Sequence, residues 1–177
     1  MLFSVALFGC KGSKQSGKSA ANKSESESKL FTKHDIDVNH YFVSANKEKL
    51  LGNTEDAIRL FKKCLQIDPN NAAAAYELSI IALNANDFQN AELYSRKAYT
   101  LNPDNEWYAI IFVESLQRNK KPGEAIKIYQ KLIKNLPDRT DIYYDFADCY
   151  LRMNKPVDAI DIYNELEKKI GINAELS

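Results

Sequence analysis

Alanine returns every 34 residues, at Ala57, Ala91, Ala125 and Ala159, and no other feature of the chain limits its fold as sharply. Proline keeps the same interval at Pro69, Pro103 and Pro137, and the next place on that beat is Gly171, another residue that ends helices. A fixed period of this length marks a stack of helix pairs, in which each unit buries its apolar face only against its neighbours. Four units follow one another without a gap, over residues 38–71, 72–105, 106–139 and 140–173. Within each, apolar residues spaced by three and four fall in two runs, which predicts two amphipathic helices rather than strands. In the first unit these are roughly residues 38–51 and 54–67, with Gly52-Asn53 as the turn. Pro122 and Pro156 sit at the first position of a second helix, where proline loses no hydrogen bond.

The alanine beat has a packing reason. Two helices that cross closely need a residue with almost no side chain at the crossing. Ala45, Ser79, Val113 and Ala147 hold a matching place on the first helices, while Phe61, Tyr129 and Tyr163, preceded by Leu60, Ile128 and Ile162, are the expected core fillers. The chain therefore reads as all-α.

Period, small positions, aromatic position and terminal proline together resemble tetratricopeptide repeats, over about 136 of the 177 residues. The units diverge from the family pattern: Tyr41 and Tyr143 stand where its tryptophan would be, and Tyr150 alone keeps its first-helix tyrosine. The resemblance implies a right-handed α-solenoid of four helix-turn-helix repeats whose first helices line a concave, partner-binding groove. It places Phe42, Tyr76, Ile110 and Tyr144 in a stripe along that groove, extended by Trp107, Ile80 and Leu83. Asn46, Lys49, Glu114, Arg118 and Asp148 are the polar and charged groups beside it. An aromatic floor with graded charge suits a peptide or helix of another protein. The lysine and arginine clamp with which some family members hold a terminal carboxylate is not expected, since Phe42, Ala73 and Glu77 occupy the matching positions.

Formal net charge is zero, which offers no general attraction for nucleic acid. The distribution is uneven, with six lysines against Glu25 and Glu27 between Lys11 and Lys33, so a basic segment precedes an acidic body. Cys64 and Cys149 lack metal-site spacing and read as buried free thiols. His34 and His40 begin no metal motif, and no nucleophile with a base, cofactor site or metal cluster is visible. Asp141, Asp145 and Asp148 share one helix face, either as a solvated surface or as a site for a basic partner.

The first ten residues are an apolar run ending at Cys10, too short to cross a bilayer. Leu7-Phe8-Gly9-Cys10 resembles a bacterial lipobox, which implies lipidation of Cys10, although the basic segment that opens a signal peptide is missing and Phe8 departs from the pattern. Residues 11–37 read as a Ser/Lys/Gly-rich flexible linker. Within it, Gly12 to Ser19 matches the P-loop pattern, but no strand precedes it and no amphipathic helix follows, so nucleotide binding is only a remote alternative. Residues 174–177 read as the start of a fifth repeat. Truncation is the expectation there, the other reading being that an uncapped last helix, through residues such as Ile162 and Leu166, docks on a partner or a second copy. The expected function is a noncatalytic protein-binding adaptor anchored in the bacterial envelope, the outer membrane favoured over the inner. The alternative is a soluble cytoplasmic co-chaperone or regulator.

Overall fold

The structure, a computed structural model, describes residues 33–171. Cys10, the P-loop-like stretch and the start of a fifth repeat lie outside the described residues. Eight helices follow in pairs among those described: α1 (Lys33–Leu50) with α2 (Thr54–Ile67), α3 (Ala72–Asn84) with α4 (Phe88–Leu101), α5 (Glu106–Arg118) with α6 (Pro122–Asn135), and α7 (Thr140–Arg152) with α8 (Pro156–Ile170). Each helix packs on its neighbours in sequence, and α3 also meets α5, as a right-handed solenoid requires. One boundary differs from the sequence expectation. Helix α1 starts at Lys33, so the last five residues assigned to the linker are helical.

Both kinds of corner have a local cause. At the turn inside each pair, Gly52, Asn86, Lys120 and Asn154 take left-handed backbone, with φ of 81°, 57°, 59° and 58°. The following N–H then reaches back to close the helix end, as in Asn53 to Glu48 O (2.9 Å) and Lys121 to Leu116 O (2.8 Å). At the corner between pairs, Asp68, Asn102 and Leu136 each precede a proline and leave the helical region, with φ of −121°, −144° and −126°. The next helix is capped by side chains where the sequence allows. Asn71 accepts from the Ala74 N–H, and Asn105 from those of Trp107 and Tyr108.

The four beat alanines are fully buried, and so are the paired positions Ala45, Ser79, Val113 and Ala147. Around them lie two clusters. One centres on Phe61, Cys64 and Leu78, the other on Leu116, Tyr129, Tyr143 and Phe146. Burial pushes the Cys64 and Cys149 thiols up to about 11, and each donates to a backbone carbonyl, Val38 and Pro122 respectively.

The last helix departs from the sequence reading. Leu166 is buried, and Ile162 packs against the cluster of α5, α6 and α7, so neither belongs to an uncovered face. The apolar side chains that α8 does leave exposed are Val157, Ile160 and Ile170. The 3.6-residue period turns Ile162 and Leu166 toward α7 and α6, and leaves the others on the far side.

Candidate functional site

The first helices carry the candidate groove, and the structure treats its residues unequally along the stack. At the α1 end they are engaged in internal contacts. Phe42 packs edge-on against Phe61, with ring centres 5.6 Å apart. Asn46 donates its amide to the Phe42 carbonyl at 2.9 Å, and the Lys49 ammonium pairs with Glu77 of α3. Tyr76 is half-buried against Tyr108, ring centres 5.1 Å apart, and burial raises both hydroxyls above their ordinary pKa. Ile80 and Leu83 are half-buried.

At the α5 and α7 end two aromatic side chains are open, although Ile110, in the register of Phe42 and Tyr76, is half-buried against the core. Trp107 is 53% exposed, and Tyr144 is 55% exposed with its ring 6.0 Å from that of Tyr163 on α8. A cavity of about 690 Å³ lies along the two helices. Ile110, Glu114, Arg118 and Asp148 line it, so four of the sequence-predicted groove residues converge on one space. Asp141, Asp145, Gln117 and Arg152 line it as well. Helical spacing brings them together: 110, 114 and 117 fall on one face of α5, and 141, 145 and 148 on one face of α7.

Hydrogen bonds hold this wall in place. Gln117 donates from Nε2 to the Tyr129 hydroxyl at 2.9 Å and to the Asp145 carbonyl at 3.1 Å, joining α5, α6 and α7. Sequence reasoning assigned Tyr129 to the core alone. Its ring is buried there, but its hydroxyl reaches the cavity wall, and burial pushes its pKa up. Phe61, at the equivalent place in the first repeat, has no hydroxyl, so the repeat pattern held no signal for this role.

Three of the four carboxylates around the cavity have their own cation. Arg118 lies 3.8 Å from Glu114, Arg139 is 2.7 Å from Asp141, and Arg152 pairs with Asp148. The Asp145 carboxylate makes no ion pair or hydrogen bond with the described residues. Desolvation, and then repulsion from Asp141, Asp148 and Glu114, holds it above the usual carboxylate range. Among the described residues no group of three or more His, Cys, Asp or Glu side chains is placed to hold a metal ion.

A second charged cluster, absent from the sequence reading, lies on the second helices. Glu92 is only 7% exposed and accepts from Arg96 at 2.7 Å, from Lys121 at 2.9 Å and from the Asn119 amide. Arg96 also reaches Glu124 at 2.9 Å and lies 4.8 Å over the Phe112 ring. Burial opposes the charge on Glu92, but the donors Lys121, Arg96 and Asn119 more than offset it and hold the carboxyl down at about 2. The cluster ties the second repeat to the third. Its members are scattered over 33 residues, which is why no motif revealed it.

Comparison with known proteins agrees with this geometry. A profile described as tetratricopeptide repeat matches residues 50–110, and one described as anaphase-promoting complex, cyclosome, subunit 3 matches residues 84–166. The antiviral innate immune response effector IFIT1 of Homo sapiens is 28% identical over 108 residues, 56% of this chain, and its Macaca fascicularis counterpart is 29% identical over the same length. The chain spans 23% of the length of these curated relatives. Among solved structures, MamA is similar with a TM-score of 0.67 at 20% identity, covering 80% of this chain and 83% of that one. MamA from Desulfovibrio magneticus RS-1 gives 0.66 at 14% identity, with 78% of each chain covered. YrrB, a tetratricopeptide-repeat protein with an unusual peptide-binding site, gives 0.65 at 18% identity, with 73% of this chain and 66% of that one covered. At such identities the structures share the fold. Four 34-residue helix pairs in a right-handed stack, with repeat profiles matched over residues 50–110 and 84–166, give the chain the fold of a tetratricopeptide-repeat solenoid.

Proposed function

We propose that this protein is a noncatalytic adaptor that holds a segment of another protein against its first helices, chiefly α5 and α7. The observation that carries the reading is the cavity of about 690 Å³ along α5 and α7, lined by Ile110, Glu114, Arg118 and Asp148, with Trp107 and Tyr144 exposed on the same two helices. Aromatic side chains bury a large area at low entropic cost, and as anchors they supply much of the binding energy at protein interfaces. The peptide-binding site of the similarly folded YrrB lends support to a peptide as occupant. A photo-crosslinking residue placed at Trp107 should capture a partner in cells, whereas the same residue at Arg59, exposed on α2, should not. Equal capture at both positions, or none at Trp107, overturns the reading.

Anchoring in the bacterial envelope through a lipidated Cys10 belongs to the same proposal and rests on the lipobox-like Leu7-Phe8-Gly9-Cys10. Mass and membrane partition of the protein expressed in bacteria, beside Cys10→Ala, test it. A lipid-sized mass increase lost in the variant supports the anchor. An unmodified soluble product moves the protein to the cytoplasm and leaves the groove to a co-chaperone or regulatory role.

A further inference from the structure

The two ends of the repeat stack differ in what they offer a neighbour. At the boundaries between pairs, a first helix sets aromatic residues on the second helix before it: Phe146 of α7 stacks on Tyr129 of α6, and Phe112 of α5 meets Tyr99 of α4 with ring centres 5.4 Å apart. On α1 the corresponding places are polar. Ser44 holds the place of Phe112 and Phe146, Lys47 that of Ile81 and Cys149, and Glu48 that of Leu116 and Tyr150. Helix α1 is thus finished as an end. Helix α8 is not. Ile126 and Leu136 of α6 are half-buried against the core, whereas the residues 34 positions on, Ile160 and Ile170, are 54% and 46% exposed.

The outward residues of α8 carry a pattern of their own. Val157, Ile160, Asn164, Glu167 and Gly171 are all exposed and recur at spacings of three and four, as one seam along the helix. Asp161 and Lys168 flank that seam on one side, two turns apart, and neither forms an ion pair with the described residues, while the adjacent Lys169 is taken by Glu165 at 3.7 Å. Two copies of α8 packed antiparallel about a twofold axis near Asn164 bring the same flank of each helix together. That sets Asp161 of one beside Lys168 of the other, twice. A parallel pair would set the same two residues beside Pro156 and Tyr163 and form no such ion pairs.

We propose that the outward face of α8 is a dimer interface, on which a second copy of this chain packs its own α8 antiparallel, with Val157 and Ile160 in the seam and two Asp161–Lys168 ion pairs at its side. The polar places on α1 oppose head-to-tail stacking, so the contact closes as a dimer rather than growing into a filament. One helix face buries less than the roughly 800 Å² per partner of a standard interface, so the dimer is weak and forms as concentration rises. The surface lies at the end of the stack and does not depend on the groove reading.

The test is sedimentation equilibrium of the full chain carrying Cys10→Ala, over rising concentration. A monomer–dimer equilibrium is expected. Ile160→Glu should weaken it at least about 10-fold with helicity unchanged, since this side chain is exposed in the monomer. Asp161→Lys and Lys168→Asp should each weaken it about 10-fold by setting like charges together, and the double variant should restore it. Arg59→Glu, exposed on α2, should change nothing. A dimer indifferent to Ile160→Glu overturns the proposal, and loss in both single variants without restoration in the double overturns the antiparallel pairing. A chain that is monomeric until residues 172–177 are removed overturns it in favour of those residues as the cover of α8, and one that is monomeric either way overturns it in favour of a different protein.

Discussion

The second and fourth helix pairs reach the same fold with opposite interiors. What α3 and α4 bury is mostly small: Ala74, Ala75, Ser79 and Ala82 on one helix, Ala91, Ser95 and Ala98 on the other. What α7 buries is large, Ile142, Tyr143 and Phe146, set against Tyr129, Leu132 and Leu116 of the preceding pair. Small side chains let two backbones approach and leave little to rearrange. Large ones hold helices apart and carry contact across the repeat boundary, as where the Tyr129 and Phe146 rings stack at 5.3 Å and 15°. The aromatic half is also the half that carries the cavity, and Tyr129 serves both. One 34-residue frame therefore supports a close-packed region and a region with a working surface.

Substitutions can break that contrast from either side. Phe146→Ala removes a ring 1% exposed and should cost about 3–5 kcal/mol, read as a fall in the denaturant midpoint. If the aromatic half is the stiffer support for the groove, this variant also loses peptide binding under conditions where it remains folded. Ala91→Leu asks the opposite question of the second pair. Overpacking that crossing should cost about 1–3 kcal/mol, and a smaller loss there than at Phe146 is the expected order. A neutral result would mean that α3 and α4 can separate, and would remove the distinction.

The Glu92 cluster ties the second pair to the third, where the aromatic half begins, so its loss should loosen that boundary. Glu92→Gln should cost about 1–3 kcal/mol, since it strands donors from Lys121 and Arg96. Its pH signature has a definite sign. The folded carboxyl sits at about 2, below its ordinary value, so its contribution is present above the ordinary carboxylate range and lost as pH falls toward 2. Wild-type stability should therefore drop between about pH 5 and 2 more steeply than that of Glu92→Gln, measured by thermal melts across that window.

The smallest effect is a gain. Lys120 is the one turn residue of its kind that is neither glycine nor asparagine, yet it holds φ 59°. Lys120→Gly should relieve that strain and raise stability by about 0.5–1 kcal/mol, checked by the unfolding midpoint. Asn154→Gly, at the same turn of the next repeat, should gain less, because asparagine tolerates this region.

Among the described residues, the four helix pairs and most helix ends are legible in the sequence, because these depend on local chemistry. An alanine at a crossing, a proline that forbids helix before it and the 3.6-residue period act within a few residues of themselves. Cys64 and Cys149 were legible as buried thiols for the same reason. Which of the expected groove residues stay exposed depends on packing between repeats. Phe42 holds in the first repeat the place of Tyr144 in the fourth, yet Phe42 packs on Phe61 while Tyr144 remains exposed, and Asn46 and Lys49 on the same face of α1 are taken up by their own helix and Glu77. The left-handed turn at Lys120, the Glu92 cluster and the hydroxyl of Tyr129 were hidden alike, since each depends on atoms brought together from separate helices or on a backbone state that lysine does not announce. Helix period says which way a residue points, and only the neighbouring repeat says what it meets there.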